Sequence, residues 1–264
     1  MNLEQRLVVS TSWGNDSVAL VQFLHEAGFT NVICVYCNTG WGVSWWAARV
    51  SAMETWAQSL GFQTVEIKTI GMEQLVLDHR GWPRNGMQFC TEDLKIVPFI
   101  EWLAEHDPEM HALVCVGVRR AESERRSQIV EFEIEDERAG GRHQWRALYL
   151  HSDDERDALI LRAGKKVLPH RSKECDPCIN GSRKDIAEVE PIKIDFIEDI
   201  EQRLGFSRTG KPRVMFRPAK KMGATGIREI VEWAKSAPGK YKKGAYTLDD
   251  EAAGNCHDTG YCGG

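Results

Sequence analysis

The chain has 264 residues, 42% of them hydrophobic and 28% charged, with a formal net charge of −5. These values mark a globular protein of one large domain, or one domain plus a smaller one, and exclude low-complexity classes. No apolar run approaches the ~20 residues of a membrane span, and residues 1–6 carry no signal-peptide pattern, so a cytoplasmic protein with no membrane partner is expected.

In chain order, apolar runs predict strands at 7–9, 31–36, 63–67, 113–116 and 145–149. Helical spacing predicts helices at 17–27, 44–59, 72–78, 91–105 and 153–163. Residues 81–86 and 140–142 read as loops, the second following a charged stretch at 131–138. Strand–helix alternation up to about residue 150 predicts an α/β fold with a doubly wound, mostly parallel sheet, whose ligands sit at the carboxyl ends of the strands. A division follows into a nucleotide-binding domain, 1–165, and a small cysteine-containing region, 166–264.

The first strand and first helix are joined by Ser10-Thr11-Ser12-Trp13-Gly14-Asn15-Asp16-Ser17. Unpaired N–H groups and the helix dipole make such a junction an anion site, suited to phosphate or pyrophosphate. No lysine follows the glycine, so it is not a P-loop, and it lacks the G-x-G-x-x-G pattern. The plainer alternative is an ordinary helix cap by Asp16 or Ser17. The second strand runs into Asn38-Thr39-Gly40-Trp41, a turn beside the first loop, where Trp41 is a candidate for stacking on a base. Trp45 and Trp56, at helical spacing, are expected in the core. The fourth strand ends in Gly117, followed by Arg119, Glu122, Ser123 and Arg126; guanidinium forks suit phosphate and sulfate oxygens.

Eight cysteines in a cytoplasmic protein point to metal binding or catalysis rather than to disulfides. Cys175 and Cys178 form a C-x-x-C clip; with Cys90, and with Cys256 or Cys262, they offer a soft donor set for zinc or a [4Fe–4S] cluster. A redox dithiol at Cys175 and Cys178 is the competing reading. Cys34 and Cys115 lie within strands and are expected in the core. Charge is uneven. From Arg203 to Lys243 there are 12 Lys and Arg against 2 Asp and Glu, leaving 22 against 37 elsewhere. A basic end on an acidic body suits a polyanion. Arg213, Arg217, Lys220, Lys221, Lys240, Lys242 and Lys243 would meet a nucleic-acid backbone, with Phe216 or Tyr241 stacking on an unpaired base.

Several of these segments resemble one family. Ser12-Trp13-Gly14-Asn15-Asp16-Ser17 resembles the S-G-G-x-D-S pyrophosphate loop of N-type ATP pyrophosphatases, with Trp13 in place of the first glycine. Asn38-Thr39-Gly40 resembles the V-D-T-G element, with Asn38 where Asp is usual. Gly117, Arg119, Glu122, Ser123 and Arg126 match G-x-R-x-x-E-S-x-x-R. Residues 89–98 resemble the C-C-x-x-R-K-x-x-P-L segment of iron–sulfur adenylylsulfate reductases, keeping Cys90, Lys95 and Pro98 but with Thr91 at the second cysteine. The chain thus resembles the phosphoadenylylsulfate (PAPS) reductase-like branch of the ATP pyrophosphatase (PP-loop) superfamily.

The resemblance implies an adenine nucleotide alpha hydrolase-like fold. It implies ATP and Mg²⁺ bound by Ser10, Thr11, Ser12, Gly14, Asn15, Asp16, Ser17, Asn38, Thr39, Gly40, Gly117 and Arg119. It implies catalytic roles for Asp16, Ser17, Lys95, Arg119 and Arg126. It favours a [4Fe–4S] cluster on Cys90, Cys175, Cys178 and either Cys256 or Cys262. The E-C-G-L-H motif of true sulfonucleotide reductases is replaced by Gly260-Tyr261-Cys262-Gly263-Gly264. The character is closest to the DNA phosphorothioation ATP pyrophosphatase: substrate adenylation, then sulfur transfer onto DNA, with a cysteine desulfurase as donor. The alternatives are sulfonucleotide reduction to sulfite, tRNA thiolation, and a metal-bearing nucleic-acid-binding module without catalysis. An oligomer is compatible with all four.

Overall fold

The computed structural model describes residues 2–84, 86–124, 126–216 and 224–236. In chain order the elements are β1 (Leu7–Ser10), α1 (Asn15–Glu26), β2 (Val32–Asn38), α2 (Trp46–Ser59), β3 (Gln63–Lys68), α3 (Gly71–Asp78), α4 (Phe89–Thr91), α5 (Val97–His106), β4 (Leu113–Cys115), β5 (Phe132–Asp136), β6 (Arg142–Trp145), α6 (Asp153–Arg162), α7 (Arg183–Ala187), α8 (Pro191–Leu204) and α9 (Ile227–Lys235).

Side-chain alternation decides the layers. In β1, Leu7 and Val9 enter one cluster and Val8 the other; in β2, Cys34 and Tyr36 separate likewise from Ile33, Val35 and Cys37. Strands that are apolar on both faces need cover on both. One face packs on α1, α2 and α6, through Leu20, Leu24, Val50, Trp56 and Leu159; the other packs on α5, through Phe99 and Leu103. The six strands run in the order β3-β2-β1-β4-β6-β5. All neighbours are parallel except β5, which returns antiparallel along β6 as the edge strand. The expected doubly wound, mostly parallel α/β sheet is therefore the observed one.

Three local expectations are corrected. The strand expected at 145–149 lies earlier, at Arg142–Trp145, because Gln144 and Trp145 pair with Val114 and Cys115. The following Ala147 and Leu148 are buried in a turn, which supplied the apolar signal. The charged stretch 131–138 contains a strand, β5, with a register shift between Glu133 and Asp136 and Glu135 at φ +54°. The helix expected at 91–105 begins at Phe89 and passes through a wide π-type turn, Glu92–Ile96, before α5. Pro98 has no N–H to give Leu94, and the N–H of Val97 reaches Glu92 instead.

Beyond β6 a second core forms. Ile186, Ile194, Ile197, Ile200, Leu204, Ile227 and Ile230 pack against Trp41, Met72, Leu75, Trp82 and Leu94. Each fully buried side chain of this kind contributes about 1.5–3 kcal/mol. The half-buried Glu201 carboxylate joins its parts, accepting the N–H groups of Met215 (2.9 Å) and Ile227 (3.0 Å). No helix among the described residues is long and apolar enough to cross a membrane.

The ends of α1 and α6 are clamped by Arg162, which donates to both oxygens of Glu26 at 2.8 and 2.7 Å. The Arg162 hydrogen bond leads in lowering the Glu26 carboxyl from 4.5 to about 2. A depressed carboxyl stabilises the fold above its unfolded value, and that stability is lost as pH falls through the folded value. The pair is largely exposed, so Arg162→Ala is expected to cost no more than ~1 kcal/mol at neutral pH. In urea titrations the gap to the parent closes between about pH 4.5 and pH 2; a gap that persists unchanged at pH 2 contradicts the assignment.

Candidate active site

The loop after β1 is held by its own hydroxyl groups. The N–H of Ser12 donates to Ser17 Oγ (3.0 Å), that of Trp13 to Thr11 Oγ1 (3.0 Å) and that of Gly14 to Ser12 Oγ (3.2 Å). The Ser12 and Ser17 hydroxyls are also bonded, at 3.0 Å. The ordinary-cap alternative is thereby replaced: the capping position of α1 is Gly14, with no side-chain cap, and Ser17 serves the loop. Asn15, Asp16 and Ser17 form the first turn, whose N–H groups have no acceptor within the helix. A helix start of the kind that suits an anion thus stands at the carboxyl end of a central strand.

Trp13 explains the missing glycine. Its φ is +59°, a left-handed conformation that glycine adopts without strain. Its indole is fully buried in the core, and its carbonyl accepts from Arg49 Nε at 2.7 Å. The strain costs about 1–2 kcal/mol, whereas emptying a buried tryptophan site costs about 3–5 kcal/mol. Packing outweighs strain. Trp13→Gly, which restores the family's glycine, is therefore expected to lower stability in chemical denaturation rather than raise it.

β4 brings the arginines to this loop. A Cβ on Gly117 would lie 3.1 Å from the backbone carbon and oxygen of Asp16, so any side chain there would crowd the loop and a glycine eases the close approach. Arg119, almost fully buried, holds Asp16 Oδ1 through Nε (2.6 Å), Asp153 Oδ1 through Nη2 (2.9 Å) and the carbonyl of His151 through Nη1 (3.3 Å). The other Asp16 oxygen is buried and has no hydrogen-bond partner among the described residues. A carboxylate with one free oxygen at a phosphate loop suits a Mg²⁺ ion, which takes one or two carboxylates together with substrate phosphates. Arg126 is also buried and pairs with Glu122.

The second loop is a built turn. Asn38 accepts from the N–H of Gly40 (2.9 Å) and donates to Glu66 (2.7 Å). An Asp at position 38 would face the Glu66 carboxylate, which accounts for the amide there. Trp41 is not available to stack on a base. It is fully buried between Trp82 and Phe196, with Lys193 Nζ 4.3 Å from its ring centre, and its indole N–H donates to Pro177 at 3.0 Å. Trp56 is buried as expected, but Trp45 is 42% exposed because it precedes α2 on the outside, against His170.

Both loops are tied to one irregular segment, 168–178, which carries two of the candidate metal ligands. Asn15 exchanges hydrogen bonds with the Leu168 backbone at 3.0 and 2.9 Å, and a Cβ on Gly14 would touch Ser172. The Thr39 hydroxyl donates to the Glu174 carbonyl (3.3 Å), and the N–H of Asp176 to the Trp41 carbonyl (3.0 Å). Glu174 forms a buried ion pair with Lys95, the lysine of the 89–98 segment. Burial alone would lower the Lys95 ammonium; Glu174, Cys175 and Cys90 outweigh it and hold the group protonated.

Cys90, Cys175 and Cys178 come together beside Lys95. Burial pushes the Cys90 thiol up to about 11, and Cys178 adds to the rise while Lys95 opposes it. Burial, followed by Cys178, raises Cys175 as well. The N–H of Asn180 points at Cys178 Sγ from 3.5 Å, a donor of the kind that steadies a thiolate. The three thiols are soft donors of the kind a metal or cluster takes. Among the described residues, however, no group of three His, Cys, Asp or Glu side chains is already arranged as a cage. Cys256 and Cys262, the expected sources of a fourth thiolate, lie outside the described residues. Cys34 and Cys115 are buried in the core as expected, and so is Cys37.

The described part of the basic segment is largely engaged with the protein itself. Arg203 pairs with Glu73 and Asp199, Arg228 with Asp195 and Glu198, Lys235 with Glu232, and Arg213 donates to the Leu204 carbonyl. Phe216 is buried in the second core and cannot stack on a base. Arg217, Lys220, Lys221, Lys240, Tyr241, Lys242 and Lys243 lie outside the described residues. The motif reading missed Glu174, Asp153 and Arg156. All three act across long sequence separations, and only the proximity of Glu174 to the C-x-x-C clip was visible beforehand.

The site thus combines a small-residue loop at a strand end, a glycine-mediated arginine contact and a thiol trio on adjoining loops. Residues 6–188 match the family model of the phosphoadenosine phosphosulfate reductase domain. That is more than half of the chain, and the chain belongs to this family. No curated protein matches it. Among solved structures, a crystal structure of phosphoadenylyl-sulfate (PAPS) reductase from Candida auris, a phosphate complex, is similar over 61% of this chain and 74% of that one, with 14% identity and a TM-score of 0.43. Family membership supports a sulfonucleotide-related or adenylating enzyme.

Proposed function

We propose that the protein is an ATP pyrophosphatase that adenylates a substrate for iron–sulfur-dependent sulfur transfer, with DNA as the favoured substrate. The observation that carries the reading is the segment 168–178, bonded to both nucleotide loops and bearing Cys175 and Cys178. Its hydrogen bonds join the loops read as phosphate-binding to the thiols, which supports coupling of the two chemistries. ATP would lie across residues 10–17, 38–40 and 117–119, with Mg²⁺ at the free oxygen of Asp16. An oxygen of the DNA phosphodiester attacks the α-phosphorus of ATP, a P–O–P bond forms, and pyrophosphate leaves. A persulfide, delivered by a cysteine desulfurase, then attacks the activated phosphorus, and AMP leaves with the original oxygen. A dithiol reductant cleaves the resulting S–S bond and leaves sulfur on phosphorus.

Cys90, Cys175 and Cys178, with Cys256 or Cys262, would hold the [4Fe–4S] cluster, which when bound supplies a soft sulfur and electron centre. Lys95 supplies a positive charge to that region, and Glu174 positions it. The lysines at 220–243 would meet the nucleic-acid backbone, with affinity that falls steeply with salt. Family membership also favours a second reading, reduction of a sulfonucleotide to sulfite.

Anaerobically purified protein is expected to contain iron and labile sulfide, and stoichiometric zinc without iron would replace the cluster by a structural site. Incubated with ATP and Mg²⁺, the protein should release pyrophosphate when DNA or tRNA is added. Asp16→Asn, which keeps an acceptor for the buried Arg119, should lower that release by roughly 10²-fold while the fold persists. If no nucleic acid stimulates release and adenylylsulfate or its 3′-phosphate yields sulfite, the reductase reading takes its place.

A further inference from the structure

We infer that Arg156, on the first turn of α6, is a phosphate-contacting residue of the nucleotide site. The inference rests on the reading that a nucleotide binds at residues 10–17. The two motif arginines are buried and already engaged. Arg119 is 2% exposed in its side chain and engaged at all three nitrogens, so it acts as a prop behind Asp16. Arg126 is equally buried and paired with Glu122.

Arg156 differs in its partners. Its Nη1 lies 3.8 Å from Asp16 Oδ1, the same oxygen that Arg119 holds, and 3.3 Å from Asp153 Oδ1. Its Nη2 and Nε reach Asp157 Oδ1 at 2.6 and 2.8 Å. Asp153 is 69% exposed in its side chain and Asp157 33%, whereas the Arg156 side chain is 15% exposed. Its two closest counter-charges are therefore wetted carboxylates on its own helix, the kind of pairing that contributes ~1 kcal/mol or less. A pyrophosphate group, carrying more charge and matching the planar guanidinium fork, outcompetes them. Asp153 holds Arg119 and Arg156 together, so it also acts as the placeholder that an arriving phosphate displaces. The orphaned, buried Asp16 oxygen lies beside this pair of guanidinium groups and is an independent sign of an absent ligand with its cation.

Binding of inorganic pyrophosphate and of ATP, each with Mg²⁺, is to be measured by calorimetry over a range of salt concentrations. Arg156→Gln should weaken pyrophosphate by about tenfold or more, the worth of one charge-assisted contact, and flatten the salt dependence. Arg156→Lys should restore the salt dependence with only part of the affinity, because it returns the charge without the fork. Asp153→Asn should bind pyrophosphate at least as tightly as the parent. Wild-type affinity and salt dependence in Arg156→Gln overturn the inference while leaving the nucleotide reading intact. Equal losses in Arg156→Gln and Arg156→Lys, with the parent's salt dependence, indicate a structural role and also overturn it. If the parent binds neither ligand, the nucleotide reading fails and takes this inference with it.

Discussion

Buried backbone groups must find partners, and at the carboxyl edge of β1 and β2 several find them in one segment without regular structure. Residues 168–178 accept or donate at Asn15, Thr39, Trp41 and Val43. Neither of the two loops is complete without this segment, and the segment has no repeating structure of its own to stand on. It also delivers Cys175, Cys178 and Glu174 to the region where Cys90 and Lys95 arrive from the other side. Loops that would otherwise be independent surface features share one hydrogen-bonded frame.

The buried charges follow a similar logic. Lys95 with Glu174, and Arg119 with Asp16, are pairs whose desolvation consumes much of their attraction, so such pairs are weak evidence of stability. Breaking one by removing a single partner is costly, because it strands a charge in the interior. Their effect is geometric. Each joins residues far apart in sequence, 79 positions for Lys95 and Glu174 and 103 for Asp16 and Arg119. They set the spacing between the phosphate loop, the β4 end and the thiols.

What could be read from residues alone was what is local. The junction of β1 and α1, the Asn-Thr-Gly turn and the cysteine spacing are short segments whose chemistry shows in consecutive residues. The alternation of strands and helices was visible because both faces of the sheet are apolar. The β5–β6 hairpin was hidden, because an edge strand such as Phe132–Asp136 carries charge on residues that a buried strand would make apolar. Helix α8 places Ile194, Ile197, Ile200 and Leu204 at helical spacing, yet the basic charge of the following segment drew attention to polyanion binding. The internal pairing of Arg203 and Arg228 depends on partners that only the fold brings close. Trp13 and Asn38 looked like losses from a motif; the core around Trp13 and the Glu66 carboxylate opposite Asn38 make them accommodations.

The shape of β5 bears on how the protein can associate. An exposed edge strand is a template on which another chain can extend the sheet. Here Glu135 turns left-handed within the strand, and the pairing register slips between Glu133 and Asp136. Such a bulge bends the strand and breaks the even row of outward N–H and C=O groups, and Glu135 adds like charge to any second copy laid alongside. Growth of the sheet past β5 is thus obstructed by shape and by charge together, although Phe132 and Ile134 leave apolar surface there. Self-association by strand addition is disfavoured at that edge, even though apolar side chains lie exposed there.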